Sequence, residues 1–204
     1  KSFGIAAAYS NLGLMTKLLK FNNTFTKAPE SFGTNFNFRI KNKNGGILKY
    51  YGSFDTNRLG LQDESLEPET DFDNTSLKGK NTFHNISYRQ KLGRYLVNLG
   101  SSYTFNNNLI DLNNTYQESE FNLNSIDITG NYFNAKGTLE RKINKISAIR
   151  GGIEFNQTRE NTDVAIPPVP YSFHDRITSV FAETDIGFSN HFSAKVGLRS
   201  EYST

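Results

Sequence analysis

Charged residues recur two positions apart near the end of the chain, as Glu183 with Asp185 and as Arg199 with Glu201. Two carboxylates on one side of a strand could divide a proton between them and do acid–base work. The same spacing also suits ion pairs to a neighbouring strand, because side chains at i and i+2 share a face. The surroundings favour the structural reading, since each charge alternates with an apolar residue along the run. Three histidines, His84, His174 and His191, lie apart with none of the paired spacing that zinc requires. An acidic run, Asp63, Glu64, Glu67, Glu69, Asp71 and Asp73, offers carboxylate oxygens for calcium but lacks the glycine and spacing of an EF-hand. It reads as a solvated surface loop. There is no cysteine, so thiol catalysis, thiolate metal sites and disulfides are excluded together. No nucleophile elbow, phosphate loop or dinucleotide fingerprint occurs. The expectation is a protein with no catalytic residue, no metal site and no cofactor.

The elements that carry these charges are strands. In residues 175–204, Val180, Ala182, Thr184, Ile186 and Phe188 alternate with Ser179, Phe181, Glu183, Asp185 and Gly187. A short connection at Ser189-Asn190-His191 leads to Phe192, Ala194, Val196, Leu198 and Tyr202, which alternate with Ser193, Lys195, Gly197, Arg199 and Glu201. Each strand therefore has one apolar side and one charged side. Earlier runs repeat the pattern: Phe3 to Tyr9, 33–42, a strand from Ile47 reaching towards Leu61, 81–92, Tyr95 to Phe105, 125–143 and Ile149 to Phe155. Leu12, Leu14, Leu18 and Leu19 could form a helical turn inside the first connection. In 125–143 the apolar phase changes from Ile126, Ile128 and Tyr132 to Phe133, Ala135 and Leu139, which predicts a β-bulge or a break near Gly130 to Phe133. Arg39, Lys49, Arg150 and Glu154 join Glu183, Asp185, Lys195, Arg199 and Glu201 as the charges expected on the polar face.

Nine such strands fit one domain of 204 residues. With 36% hydrophobic residues and a mean hydropathy of −0.57, no stretch has the apolar length of a membrane-spanning helix. Strands of a membrane barrel escape that test, being short and half polar. Seventeen Phe and ten Tyr suit either a membrane interface or a sandwich core. The net charge of +3 arises from interspersed residues without a basic run, so nucleic acid is not an expected partner. The chain starts and stops in mid-pattern, and the expectation is a portion of a longer protein.

Connections alternate between long (11–32, 62–80, 106–122, 157–174) and very short. In an antiparallel meander this places every long loop at one end of the sheet. All five prolines, Pro29, Pro68, Pro167, Pro168 and Pro170, fall in the long set, and Tyr171 and Phe173 beside the last three make a stiff apolar loop that could touch a ligand. Short turns at one end and long loops at the other favour an up-and-down outer-membrane barrel over a Greek-key sandwich. The expected fold is all-β, an antiparallel up-and-down meander of about nine strands, forming part of a transmembrane β-barrel. A non-transporting barrel for adhesion or assembly, and a soluble all-β carbohydrate-binding module, are the alternatives.

Beyond the patterning, Lys27-Ala28-Pro29-Glu30-Ser31, Gly45-Gly46-Ile47-Leu48-Lys49-Tyr50-Tyr51, Leu59-Gly60-Leu61, Phe181-Ala182-Glu183-Thr184-Asp185-Ile186 and Gly197-Leu198-Arg199-Ser200-Glu201-Tyr202 follow a recognisable order. Together they resemble the barrel of TonB-dependent outer-membrane receptors of the Bacteroidetes type. The likeness runs through essentially the whole chain and consists of strand-and-turn phrases. It implies that residues 1–204 are a middle portion of a barrel of about 22 strands, without the plug domain or the final strands. It further implies contact with outer-membrane lipid, coupling to the TonB complex through the plug, and energised uptake of a small-molecule or glycan ligand.

Overall fold

A computed structural model describes residues 1–19, 25–64, 72–116, 119–144, 147–166, 168–188 and 192–204. Alternating β-branched and aromatic residues build nine strands, β1 (Ser2–Asn11), β2 (Lys27–Lys41), β3 (Ile47–Glu64), β4 (Phe72–Leu92), β5 (Tyr95–Tyr116), β6 (Ser119–Lys142), β7 (Ala148–Val164), β8 (Val169–Gly187) and β9 (Ser193–Ser203). One short helix, α1 (Gly13–Leu18), follows β1, where the leucine-rich turn was expected. The strands lie in one antiparallel sheet in chain order, β1 to β9. This is the up-and-down meander that the alternation predicts.

Two of the short connections, between 33–42 and Ile47 and between 81–92 and Tyr95, form tight turns where expected, while Ser189-Asn190-His191 lies outside the described residues. Gly45 (φ 81°) and Gly93 (φ 60°) take the left-handed backbone that the β2–β3 and β4–β5 reversals need. Asn42 closes the first of them, its backbone N–H donating to the Gly46 carbonyl at 2.8 Å while its Oδ1 accepts from the Gly46 N–H at 2.6 Å.

At the other end the structure departs from the expectation. The polar stretches expected as loops are mostly strand: β3 and β4 stay paired to Glu64↔Phe72, β5 and β6 to Tyr116↔Ser119, and β7 and β8 to Val164↔Val169. The long hairpins carry the length that was assigned to loops. Pro29 and Pro170 accordingly sit inside β2 and β8. Pro29 is tolerated beside a register shift between Lys27 and Glu30, and its carbonyl accepts the Leu12 N–H at 3.0 Å. Tyr171 and Phe173 are likewise strand residues; Pro68, Pro167 and His191 lie outside the described residues, as do Glu67, Glu69 and Asp71 of the acidic run.

The predicted bulge at Gly130 to Phe133 is also absent. Pairing runs without interruption through Gly130, Asn131, Tyr132 and Phe133 on both sides, and the shift in β6 occurs higher up, where Leu112↔Asn124 is followed by Asn113↔Asn122. The strand keeps its phase, and the sheet changes its apolar side. Near the tight turns one face carries Leu48, Tyr88, Leu99, Ile153 and Val180, which are in register across β3, β4, β5, β7 and β8. Towards the long hairpins the opposite face carries Leu59, Leu77, Ile110 and Ile128.

Among the described residues no apolar side chain is buried. Large apolar groups stand in the open instead, with Leu198 82%, Val196 58% and Ile153 54% exposed. A single sheet has no second layer to cover them, so this apolar face needs a partner that the nine strands do not supply.

Candidate functional site

The face opposite the apolar band is built from the odd residues of β8 and β9 and the even residues of β6 and β7, as register dictates. Here the charges expected from the sequence converge. The Arg150 guanidinium on β7 donates from Nη2 to Glu140 Oε2 at 2.7 Å on one side and from Nη1 to Glu183 Oε1 at 2.6 Å on the other. Lys195 on β9 completes the row at 2.9 Å from Glu183 Oε2. One row thus crosses four strands with alternating sign.

A second row lies next to it. Glu154 accepts from Lys136 Nζ at 3.2 Å and from Arg199 Nη1 at 3.3 Å, and Asn134 Nδ2 donates to its other oxygen at 3.3 Å. Arg199 also donates from Nε to Glu201 at 2.5 Å and from Nη2 to Ser179 Oγ at 3.0 Å. Ser179 lies beneath this guanidinium and is fully buried. Arg199 on β9 thereby reaches Glu154 on β7 over the intervening β8. Side chains on this face bond one another across several strands, whereas the apolar groups of the opposite face stand exposed, and the two faces are called inner and outer below.

Phe181 lies flat on the inner face because its register partner is Gly152, where a Cβ would come within 2.6 Å of the ring. Lys136 Nζ sits 5.1 Å from the centre of that ring, a cation–π distance. Together Phe181, Arg89, Lys136, Arg150, Arg199 and their neighbours bound an open cleft of about 670 Å³.

Every sequence-predicted polar-face residue occupies the inner face, but they do not form one site. Arg150, Glu154, Glu183, Lys195, Arg199 and Glu201 belong to the network. Asp185 stands opposite Lys195 in register, yet the lysine turns to Glu183 instead. Arg39 and Lys49 lie away from it and directly oppose each other, a like-charge pair without an ion-pair partner among the described residues. Arg89 on β4 adds to that basic end. Glu140 of the first row and Lys136 of the second were missed by the sequence reading. The supposed phase slip in β6 hid them, whereas an unbroken strand puts both on the face of Lys142.

The outer face has its own polar cluster at the long-hairpin end. Arg58 grips Glu30 with two hydrogen bonds, of 2.7 and 3.0 Å, and the Tyr9 hydroxyl donates a third at 3.0 Å. The Arg58 contact first, and the Tyr9 bond second, hold the Glu30 carboxyl down from 4.5 to about 2. His84 is also on the outer face, bonded to the Tyr50 hydroxyl at 2.8 Å. Among the described residues no three His, Asp or Glu side chains gather closely enough to hold a metal ion.

What this arrangement offers is a wall, with an apolar outside and an ion-paired, hydrogen-bonded inside. The protein is an all-β antiparallel meander. No protein-family model matches the chain, and no curated protein matches it significantly.

Proposed function

We propose that the chain is a section of the transmembrane wall of an outer-membrane β-barrel of the TonB-dependent receptor kind, with the outer face in lipid and the inner face lining the lumen. The observation that carries the membrane reading is the height of the apolar band. On β5 the outer face runs from Tyr95 through Val97, Leu99 and Ser101 to Tyr103 and Phe105. That rise is about 33 Å along the strand, or about 25 Å at a tilt near 40°, which matches the lipid-facing belt of such barrels. Aromatic residues bound the band at both ends, with Phe188 and Phe192 in contact at 5.4 Å near the tight turns, and Phe133 and Phe155 at 6.1 Å at the upper margin.

The inner face supports a filled lumen. Arg39, Lys49 and Arg89 present positive charge with no carboxylate of the described wall to meet it, and an acidic surface inside the barrel would satisfy them. A plug domain, as the resemblance implies, fits that place. The wall's role is then structural, holding hairpins for a small-molecule or glycan ligand, while TonB acts through the plug.

The test uses the full-length protein in its native cell. Recovery in the outer-membrane fraction, a faster-migrating unboiled form on gels, and crosslinking to TonB are the expected results. A heat-shifted barrel with no TonB crosslink would leave an adhesion or assembly barrel. A water-soluble protein with no heat shift would overturn the membrane reading and favour a carbohydrate-binding module.

A further inference from the structure

The outer face carries an unneutralised cationic cluster at its upper aromatic margin, on β7 and β8, level in register with Tyr103 and Phe105 of β5. Register fixes its composition. Phe155 pairs with Ala135 and Thr178, and Thr178 pairs with Tyr202, forming the margin. The next position along has Phe133, Gln157 and Arg176, and the one after it has Asn131, Arg159 and His174. Two guanidinium groups and an imidazole therefore share one face within two successive positions. Direct and diagonal cross-strand neighbours are close enough for long side chains to converge on one group.

Among the described residues none of the three has a side-chain hydrogen bond or an ion pair, and all are exposed. The nearby carboxylates are turned away or placed higher. Glu160 and Asp175 are on the inner face, where they take Tyr132 and Ser203, and Asp163 pairs in register with Asp127 two positions further up. Elsewhere above the margin the outer face supplies its own counterions: Arg58 has Glu30, and Lys78 has Asp111 at 3.3 Å. Lys80, on β4, is single and three strands away.

We propose that Arg159, Arg176 and His174 bind the phosphate of a lipid headgroup. The proposal rests on the membrane reading above. A guanidinium pair matches phosphate oxygens with charge-assisted bonds. The aromatic surface of Phe133, level with Arg176, and of Phe155, one position below, leads into the apolar band, where acyl chains of the same lipid would lie. The phosphate and chain positions thus agree with one amphiphile in the leaflet on the long-hairpin side. Free phosphate would use the cations but gain nothing from the rings.

The experiment is native mass spectrometry of the full-length protein in neutral detergent, titrated separately with dioleoyl phosphatidic acid, dioleoyl phosphatidylcholine and inorganic phosphate. Preferential retention of phosphatidic acid is expected. Arg159→Gln and Arg176→Gln should each weaken it about fivefold, and the double variant about 25-fold, from the headgroup attraction of one basic residue each. The Lys replacements should recover part of the loss, and phosphatidylcholine, whose choline offsets its phosphate, should lose less than phosphatidic acid. Heat-shifted migration of every variant reports folding independently. Unaltered phosphatidic acid retention in the folded double variant would overturn the proposal, as would inorganic phosphate displacing the lipid at equal concentration. Absence of a heat-shifted form in the unmodified protein would instead overturn the membrane reading itself, by a different readout.

Discussion

Glu30 shows how one side chain ties three strands together at the open end of the sheet. Its two oxygens take Arg58 from β3 and Tyr9 from β1, and the carboxyl is held down at about 2. A carboxylate held below its unfolded value adds stability at pH above that value, and the contribution is lost as pH falls from about 4.5 towards 2. Thermal unfolding of the full-length protein in detergent should therefore decline over this window, and the decline should be shallower in Glu30→Gln. Identical pH profiles for the two proteins would show that the contact contributes nothing measurable. The inner-face pairs obey the same physics in rows, where each carboxylate meets cations from neighbouring strands. Being partly exposed, such pairs contribute little apiece, so their regularity speaks more for register than for stability.

At the scale of the strand, what matters is which face a residue occupies at a given height. Val180 is in register with Ile153 and lies in the middle of the apolar band, 53% exposed on the outer face. In the proposed barrel an arginine there would be driven against lipid, so Val180→Arg should destabilise the folded state in vesicles by about 2–4 kcal/mol. Asn85, on the inner face opposite Tyr51, would line the lumen of the proposed barrel instead. Asn85→Arg should change stability by about 0.5 kcal/mol or less. Guanidinium unfolding curves followed by gel shift would measure both, and equal costs on the two faces would contradict the assignment of outside and inside. β6 illustrates why height and face must be read together. At 24 residues it spans the band and the hairpin extension, and its apolar side changes between them without a change of phase.

For the whole molecule, the sheet is open, with β1 and β9 at its edges and unpaired with each other. Edges of this kind cannot face hydrocarbon, because every backbone N–H and C=O there must have a partner. The 204-residue chain expressed alone should therefore aggregate in water and show no heat-shifted form in detergent micelles. A monodisperse, water-soluble product by size-exclusion chromatography would contradict this, since it would mean that the apolar face finds its cover without lipid or further strands.

The sequence by itself determined the strand count, their up-and-down order, the tight turns at Gly45 and Gly93, and the side of the sheet on which Arg150, Glu154, Glu183 and Arg199 lie. These are local properties, set by a period of two and by glycine's access to positive φ. Only the tertiary structure decided where the strands end, because the polar runs 106–116 and 157–164 become strand through cross-strand pairing that no single segment encodes. It also decided which charges meet: Arg150 lies ten residues from Glu140 and 33 from Glu183 along the chain. Register brings them together across neighbouring strands, and the same register exposed the cationic cluster of Arg159, His174 and Arg176, which no spacing in the sequence announces.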